Sequence, residues 1–210
     1  VETDDIRIFV DPGIAALQPS FPIPDEWKIL YNQMGYMMIE KFASEADIIV
    51  ITHYHYDHHE LPSSTYLDPQ SVYGGKKILV KDPNRYINGS QFKRARIFFE
   101  DMVSFFLKKN IEDFLGEPRE TDFEDPSEWI PIAMKKDFGD YNRRRSELLE
   151  KGKRRFENLK KLWRSNQWLK EIRSKEITIE FADGREYVFG KTRLRFTKPM
   201  FHGIEYHSLG

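Results

Sequence analysis

The chain of 210 residues carries 33 Lys and Arg against 34 Asp and Glu, a formal net charge of −1, and 40% of its residues are hydrophobic and 14% aromatic. This length suits one domain, or one domain with an insertion, and so high an aromatic content excludes an intrinsically disordered chain. No apolar run approaches the roughly 18 residues that cross a bilayer, and the sequence does not open on a targeting segment, so we expect neither a membrane protein nor a secreted one.

Cysteine is absent, which excludes a disulfide scaffold, a thiolate metal site and a cysteine nucleophile. Any transition metal must therefore be held by His, Asp and Glu, the harder nitrogen and oxygen ligands. Together with a charged fraction of 32%, the absence of cysteine suits a cytoplasmic protein from a thermophile.

The first quarter of the chain alternates strand and helix patterns. β-branched and aromatic residues at 6–10 predict a strand that Asp11-Pro12-Gly13 ends. Apolar residues near helical spacing predict a helix from an N-cap at Asp25 to about Ala43. Residues 47–52 are almost uniformly apolar, and this predicts a strand that is buried on both faces, as in sheets covered by helices.

The rest of the chain is predicted as short strands on either side of a helical middle. Strands are expected at 77–80, 176–181, 186–189 and 192–197, and Asp183-Gly184 favours a hairpin between the second and third of these. Helical patterns cover 90–115 and 141–173, with an acidic, proline-containing loop between them. We therefore expect an α/β (α+β) protein.

Four of the six histidines lie within seven residues at the C-terminal end of the buried strand, in the segment Thr52-His53-Tyr54-His55-Tyr56-Asp57-His58-His59. Residues two apart in an extended segment point to the same side, so His53 and His55 converge. If the chain then turns into a helix, Asp57 and His58 point together elsewhere. Imidazole and carboxylate are both ligands of Zn²⁺. The pattern predicts a metal site, because so many imidazoles without an ion would leave ring nitrogens unpaired at about 1–3 kcal/mol each.

This segment resembles the T-H-x-H-x-D-H-H signature of the metallo-β-lactamase superfamily, and in particular a mainly archaeal branch of predicted metal-dependent hydrolases. Asp11 resembles the earlier aspartate of the family, which supports the site by hydrogen bonding. His202, followed by Gly203, resembles the third metal-binding motif. The resemblance covers roughly 6–80 and 176–210, and it implies a metallo-β-lactamase-like αββα sandwich of two similar halves.

The resemblance also implies a ligand set for two ions, expected to be zinc, with manganese or iron as alternatives. One ion would be held by His53, His55 and His202, and the other by Asp57 and His58. Asp57 would in addition accept the proton of the attacking water. His59 is left open between a supporting role and a simple hydrogen-bonding one, and His207 is expected to be a strand residue rather than a ligand.

A single domain is expected over 1–210, with its core at about 1–85 and 176–210 and a helical insertion at about 86–175. The family completes its site with a bridging Asp and a last His downstream of the third motif, whereas this chain ends eight residues after His202. It also opens inside what resembles an interrupted hairpin. We therefore expect a sandwich that is incomplete at both ends, as a piece of a longer chain in preference to a degraded site.

A site of this kind lowers the pKa of a bound water towards about 7 and presents hydroxide to an electrophile. The resemblance therefore implies an enzyme, a metal-dependent hydrolase. It leaves the substrate open, and we favour a small ester or lactone, with the insertion as a lid. A phosphodiesterase or nuclease acting on nucleic acid is one alternative, and a non-catalytic metal-binding or interaction domain is another. Homo-oligomerisation stays open, and no membrane partner is expected.

Charge is unevenly distributed over the insertion. Residues 135–173 hold fourteen bases and six acids, and residues 112–128 hold eight acids and one base. Phe156, Trp163 and Trp168 lie within the basic stretch, where they either stack on nucleic-acid bases or pack against the body of the protein. We favour packing, and so we expect weak or no nucleic-acid binding.

Overall fold

Five strands form the central sheet within residues 1–15, 17–124 and 130–199, the part of the chain that the computed structural model describes. The strands are Ile8–Val10 (β1), Ile48–Ile51 (β2), Lys77–Val80 (β3), Ile172–Arg173 (β6) and Thr178–Phe181 (β7). Their order in the sheet is β1-β2-β3-β7-β6. The first four in space are parallel, and β6 pairs antiparallel with β7. The expectation of a mixed α/β (α+β) protein is confirmed.

The central strand β2 is buried along its whole length, as its apolar sequence predicts. Ile49 and Ile51 face one layer of the core, and Ile48 and Val50 face another. The neighbouring strands β1 and β3 satisfy the backbone hydrogen-bonding groups of β2. Its side chains are buried on both faces of the sheet, so the strand is apolar throughout.

Three helices lie on one side of the sheet: α1 (Asp25–Ser44), α2 (Pro69–Tyr73) and α3 (Gly89–Met102). The helix predicted from Asp25 is confirmed, although Asp25 is its first residue and Pro24 occupies the N-cap position without a side-chain hydrogen bond. α3 is shorter than the pattern predicts, because it passes into a π-helical turn at Val103–Leu107 and ends at Lys108, which has a left-handed φ of 54°. α3 contributes Ala95, Phe98, Phe99 and Met102 to the main core, where they pack against β2 and β3.

A hairpin of β8 (Glu186–Phe189) and β9 (Thr192–Arg195) covers the opposite face of the sheet. Its side chains Tyr187, Phe189, Leu194 and Phe196 pack on Ile8, Ile48, Val50 and Leu79. The hairpin predicted across Asp183-Gly184 is therefore wrong: both edges of β7 are already occupied by β3 and β6. The turn at Asp183-Gly184 instead leads the chain to the opposite face of the sheet. There β8 pairs antiparallel with β9.

The middle of the chain builds a second hydrophobic cluster of its own. This part of the chain forms α4 (Ile130–Met134), α5 (Tyr141–Ser165) and two short paired strands, β4 (Leu115–Gly116) and β5 (Trp168–Leu169). Leu115 and Leu169 of the two strands pack in the main core, whereas Trp168 belongs to the second cluster. Phe156, Trp163 and Trp168 are buried in the cluster, so these three rings are not exposed for stacking on bases. The helix predicted to reach Arg173 ends at Ser165, because residues 168–169 and 172–173 pair as strands.

No helix of the described part of the chain is both long enough and apolar enough to span a membrane.

Trp163 should be the largest single contributor to the second cluster. It is fully buried, and its Nε1 donates a hydrogen bond to the carbonyl of Ile87 at 3.1 Å. We expect Trp163→Ala to lower the free energy of unfolding by about 3–5 kcal/mol, because it leaves a cavity and an unpaired carbonyl. Urea denaturation measures this, and Arg155→Ala on the exposed side of α5 is the control, which should change stability by less than about 0.5 kcal/mol.

Candidate functional site

Polar side chains gather at the edge of the sheet where the parallel strands end. Asp11 follows β1, the segment 53–59 follows β2, Lys81 follows β3 and Asp183 follows β7. Because these four strands run in the same direction, their carboxyl ends meet at one edge, the place where open α/β sheets bind ligands. The fold therefore brings Asp11 next to the histidine segment although more than forty residues separate them.

The carboxylate of Asp11 contacts both Thr52 and His58 at this edge of the sheet. Its Oδ1 accepts a hydrogen bond from the Thr52 backbone at 2.8 Å, and its Oδ2 accepts from the Thr52 hydroxyl at 2.7 Å. Oδ2 also lies 2.9 Å from Nδ1 of His58. The residue holds a left-handed φ of 54°, which costs a non-glycine residue about 1–3 kcal/mol and persists only where the surroundings fix it.

These contacts set the tautomers of two histidines. The Thr52 hydroxyl has one proton, which it donates to Asp11, so towards Nδ1 of His53 at 3.2 Å it acts as an acceptor. His53 and His58 therefore both carry their proton on Nδ1. In the uncharged form of each ring, Nε2 then keeps a free lone pair, which is the form in which histidine binds a metal.

Nε2 of His58 lies 3.5 Å from Oδ2 of Asp57. Two ligands of one zinc ion, each about 2.0–2.2 Å from it in tetrahedral geometry, lie roughly 3.3–3.6 Å apart. The separation of this pair therefore fits two ligands of one ion.

The imidazole rings of His53 and His55 lie beside this pair. The ring centroid of His53 lies 3.6 Å from that of His58 and 4.9 Å from that of His55. Burial, together with the neighbouring imidazoles His58 and His55, lowers the pKa of His53 to about 4. Burial also lowers the pKa of His55, and the nearby cation of Arg94 adds to this effect. His53 is therefore uncharged at neutral pH.

His59 points away from this cluster into the core. It is completely buried, and its Nδ1 lies 3.1 Å from the carbonyl of His55, to which it donates. The other ring nitrogen, Nε2, is buried with no hydrogen-bond partner and lies among Tyr54 and Phe98. Burial lowers its pKa to about 4. His59 therefore braces the turn that carries Asp57 and His58.

Gly13 explains why the turn after β1 contains a glycine. A Cβ at this position would come within 2.7 Å of the carbonyl carbons of Asp57 and His58, and closer still to the His59 nitrogen. These are backbone atoms that cannot swing aside. The absence of a side chain at Gly13 lets the loop after β1 lie directly against the histidine segment.

The two histidines near the end of the chain, His202 and His207, lie outside the described residues, so the third motif has no structural account. Within the described ranges, no three or more His, Asp or Glu side chains are grouped so as to hold a metal ion. The described residues place the carboxylate of Asp57 close to Nε2 of His58, and the rings of His53 and His55 lie beside them.

One charged residue of the site lies in α3 and was missed by sequence reasoning. α3 lies along the histidine segment and the loop after it through residues spaced one turn apart. Arg94 lies over the ring of Tyr56 at 4.8 Å, and Phe98 lies against Tyr54 and His59. Asp101 accepts a hydrogen bond from the Ser63 backbone in the following loop at 2.7 Å. Arg94 makes no hydrogen bond or ion pair with the residues that the structure describes. Its helix belongs to the predicted insertion, and no local pattern sets this arginine apart from its neighbours.

The chain is similar to archaeal proteins that carry the name UPF0282 protein. It is 35% identical over 208 residues to the one from Metallosphaera sedula, which covers 98% of this chain and 43% of that protein. It is 43% identical over 113 residues to the one from Korarchaeum cryptofilum, covering 52% of this chain and 33% of that protein. A third, from Methanopyrus kandleri, is 26% identical over 219 residues, all of this chain and 50% of that protein.

The chain thus spans a third to a half of the length of these relatives. No family model matches it, and there is no significant match among solved structures.

The buried His59 predicts how stability depends on pH. Its pKa of about 4 in the folded protein lies below the ordinary value of 6.5, so between these values the unfolded chain binds the extra proton and the folded protein loses stability as the pH falls. A shift of this size corresponds to up to about 3 kcal/mol. For the metal-free protein, we expect the free energy of unfolding to fall more steeply from pH 7 to pH 4.5 in the wild type than in His59→Asn.

Asparagine keeps a donor for the His55 carbonyl but does not titrate, so the difference between the two slopes isolates the imidazole. Denaturant unfolding at a series of pH values measures it. Parallel slopes would contradict the assignment of His59 as a buried neutral residue.

Proposed function

We propose that this chain carries the metal-binding edge of a metal-dependent hydrolase related to the metallo-β-lactamase superfamily. The observation that carries the proposal is the hydrogen-bond arrangement around Asp11. One carboxylate orients His58 directly and His53 through Thr52, so that both rings keep Nε2 free for an ion. A carboxylate behind a ligating histidine is the usual support of a metal site.

The layers of the fold support the same proposal. Helices α1, α2 and α3 cover one face of the parallel sheet, and the β8–β9 hairpin covers the other. This helix–sheet–sheet order is that of one half of an αββα sandwich, and the hairpin would belong to its second sheet.

The donor set fits zinc, since it consists of neutral imidazoles and a carboxylate. Asp57 and His58 would hold one ion, and His53 and His55, with His202, the other. Bound zinc supplies an activated water at neutral pH. Asp57 would accept the proton of that water, Asp11 would keep His58 in its ligating tautomer, and His59 would hold the turn in place. We place the activity in the cytoplasm of a thermophile, with a small ester or lactone as substrate.

Zinc binding is the first test. We expect His58→Ala and Asp57→Ala each to weaken zinc affinity at least tenfold, and Asp11→Asn to weaken it roughly 10–100-fold by releasing the His58 ring. Isothermal titration calorimetry on the metal-stripped protein measures this. Asp25→Asn, an exposed carboxylate on α1, is the control and should bind as the wild type does.

A wild-type protein that takes up no zinc, manganese or iron would refute the proposal. Zinc binding without hydrolysis of any ester would instead favour the non-catalytic metal-binding domain.

A phosphodiester substrate is the second candidate, and Arg94 is the observation that favours it. The guanidinium lies over Tyr56, beside the histidine segment, and no carboxylate of the described residues neutralises it. A cation held in this way attracts an anionic group next to the metal-binding edge, and guanidinium pairs well with phosphate oxygens.

Arg94→Ala therefore separates the two substrate classes. If the substrate is a phosphodiester, kcat/KM for bis(p-nitrophenyl) phosphate should fall at least tenfold, while that for p-nitrophenyl acetate changes little. Arg94→Lys should recover part of the loss, because it restores charge without the planar fork. Lys93→Ala, one residue away on the exposed side of α3, is the matched control. Equal effects on both substrates would leave the neutral ester as the favoured class.

A further inference from the structure

Helix α1 turns its apolar side away from the protein. Its buried residues are Ile39 and Ala43, both in its second half, and no residue of its first half is buried. The outward side carries Trp27, Leu30, Met34 and Met37, which are 51%, 42%, 50% and 70% exposed. Tyr31 and Met38, also about half exposed, flank them. We call this set of six side chains the α1 stripe.

The helix cannot rotate to bury the α1 stripe, because its other side is already fixed. Ile14 packs so closely on Gly35 that a Cβ there would come within 2.6 Å of its side chain. Tyr36 donates a hydrogen bond to Glu60 at 3.1 Å and stacks on Tyr66. At the C-terminal end of α1, the ammonium of Lys76 donates to the Ala43 carbonyl at 2.6 Å. The outward direction of the stripe therefore belongs to the fold.

The spacing within the α1 stripe is that of a helix-pairing seam. Trp27, Leu30, Met34, Met37 and then Lys41 follow one another at intervals of three, four, three and four residues. This alternation keeps one line of side chains facing a partner helix, as in coiled coils. Aromatic residues and methionine are also the types enriched in protein interfaces.

The area of the α1 stripe suits a subunit interface. Aromatic side chains bury about 150–250 Å² each, so six side chains of about this size at half exposure leave roughly 450–750 Å² to be covered. A stable interface buries about 800 Å² on each partner. Scattered exposed apolar residues need no partner, but a contiguous patch of this size does.

The charges on α1 make the surface complementary to itself. Glu26 at its N-terminal end and Lys41 at its C-terminal end are exposed, and neither forms an ion pair with the described residues. If two copies of the helix pair antiparallel about a twofold axis at Met34, Glu26 and Trp27 of one meet Lys41 of the other, twice. A membrane surface is disfavoured, because helices that lie on membranes carry an excess of Lys and Arg, whereas α1 has Asp25, Glu26 and Glu40 against two lysines.

We propose that the α1 stripe is the interface of a homodimer, in which α1 packs antiparallel against α1 of a second copy of this chain. The proposal does not depend on the chemistry of the histidine segment, and it requires no metal.

Sedimentation equilibrium of the full chain over a range of concentrations tests it. We expect a dimer for the wild type, and a dissociation constant for Met34→Glu that is roughly thirtyfold higher or more, because two carboxylates then face each other across the twofold axis. Ile29→Glu is the matched control: it lies on the same helix, is 58% exposed and is outside the α1 stripe, so the dimer should persist. Circular dichroism checks that each variant is folded.

A charge exchange tests the antiparallel arrangement. Glu26→Lys and Lys41→Glu should each weaken the dimer by up to about thirtyfold, because the dimer contains this exposed ion pair twice, and the double variant should recover wild-type affinity. A wild-type monomer at all concentrations would overturn the proposal, whether α1 is then found to bind anionic vesicles or to be covered by other parts of a longer chain. A dimer that survives Met34→Glu, or a double variant that fails to recover, would overturn it as well.

Discussion

The carboxylate of Asp11 is the contact on which the candidate site depends. It joins the end of β1 to the end of β2 through Thr52, and it reaches across the turn to Nδ1 of His58. A single side chain thus fixes the relative position of two neighbouring strands and the tautomers of two imidazoles. The strained backbone of Asp11 is tolerated because three hydrogen bonds hold it there.

Packing around the histidine segment gives that arrangement its rigidity. Gly13 lets the loop after β1 touch the backbone of 57–59, and the buried ring of His59 anchors the same turn from the core side. Tyr54 extends in the opposite direction and donates its hydroxyl proton to the Lys81 carbonyl at 2.6 Å, tying the end of β2 to the end of β3. Tyr54, between the predicted ligands His53 and His55, is therefore a structural support.

The segment predicted from the sequence as one helical insertion, residues 86–175, contributes to two separate regions of the structure. α3 enters the main core, carries Arg94 to the histidine segment and binds the loop after that segment through Asp101, whereas α5 closes a separate cluster around Trp163. The basic charge of α5 is partly compensated along the helix itself, as in the pair between Arg143 and Glu147. Its apolar face is used for packing, and the basic stretch is therefore a solvated helix surface rather than a row of exposed rings.

Local patterns in the sequence determined the elements of this protein and the chemistry of its candidate site. The continuous apolar run of β2, the helical spacing of α1 and the four histidines after a strand are properties of short segments, and short segments have strong preferences of their own. Tertiary structure decided which elements met. β7 paired with β3 and not with β8, because pairing is a competition among all available edges. The α1 stripe faced outward because Tyr36 and Ile39 had better partners inside, and Arg94 reached the site because α3 lies across it. Each of these outcomes depends on contacts between residues far apart in the chain, and no window of sequence contains them.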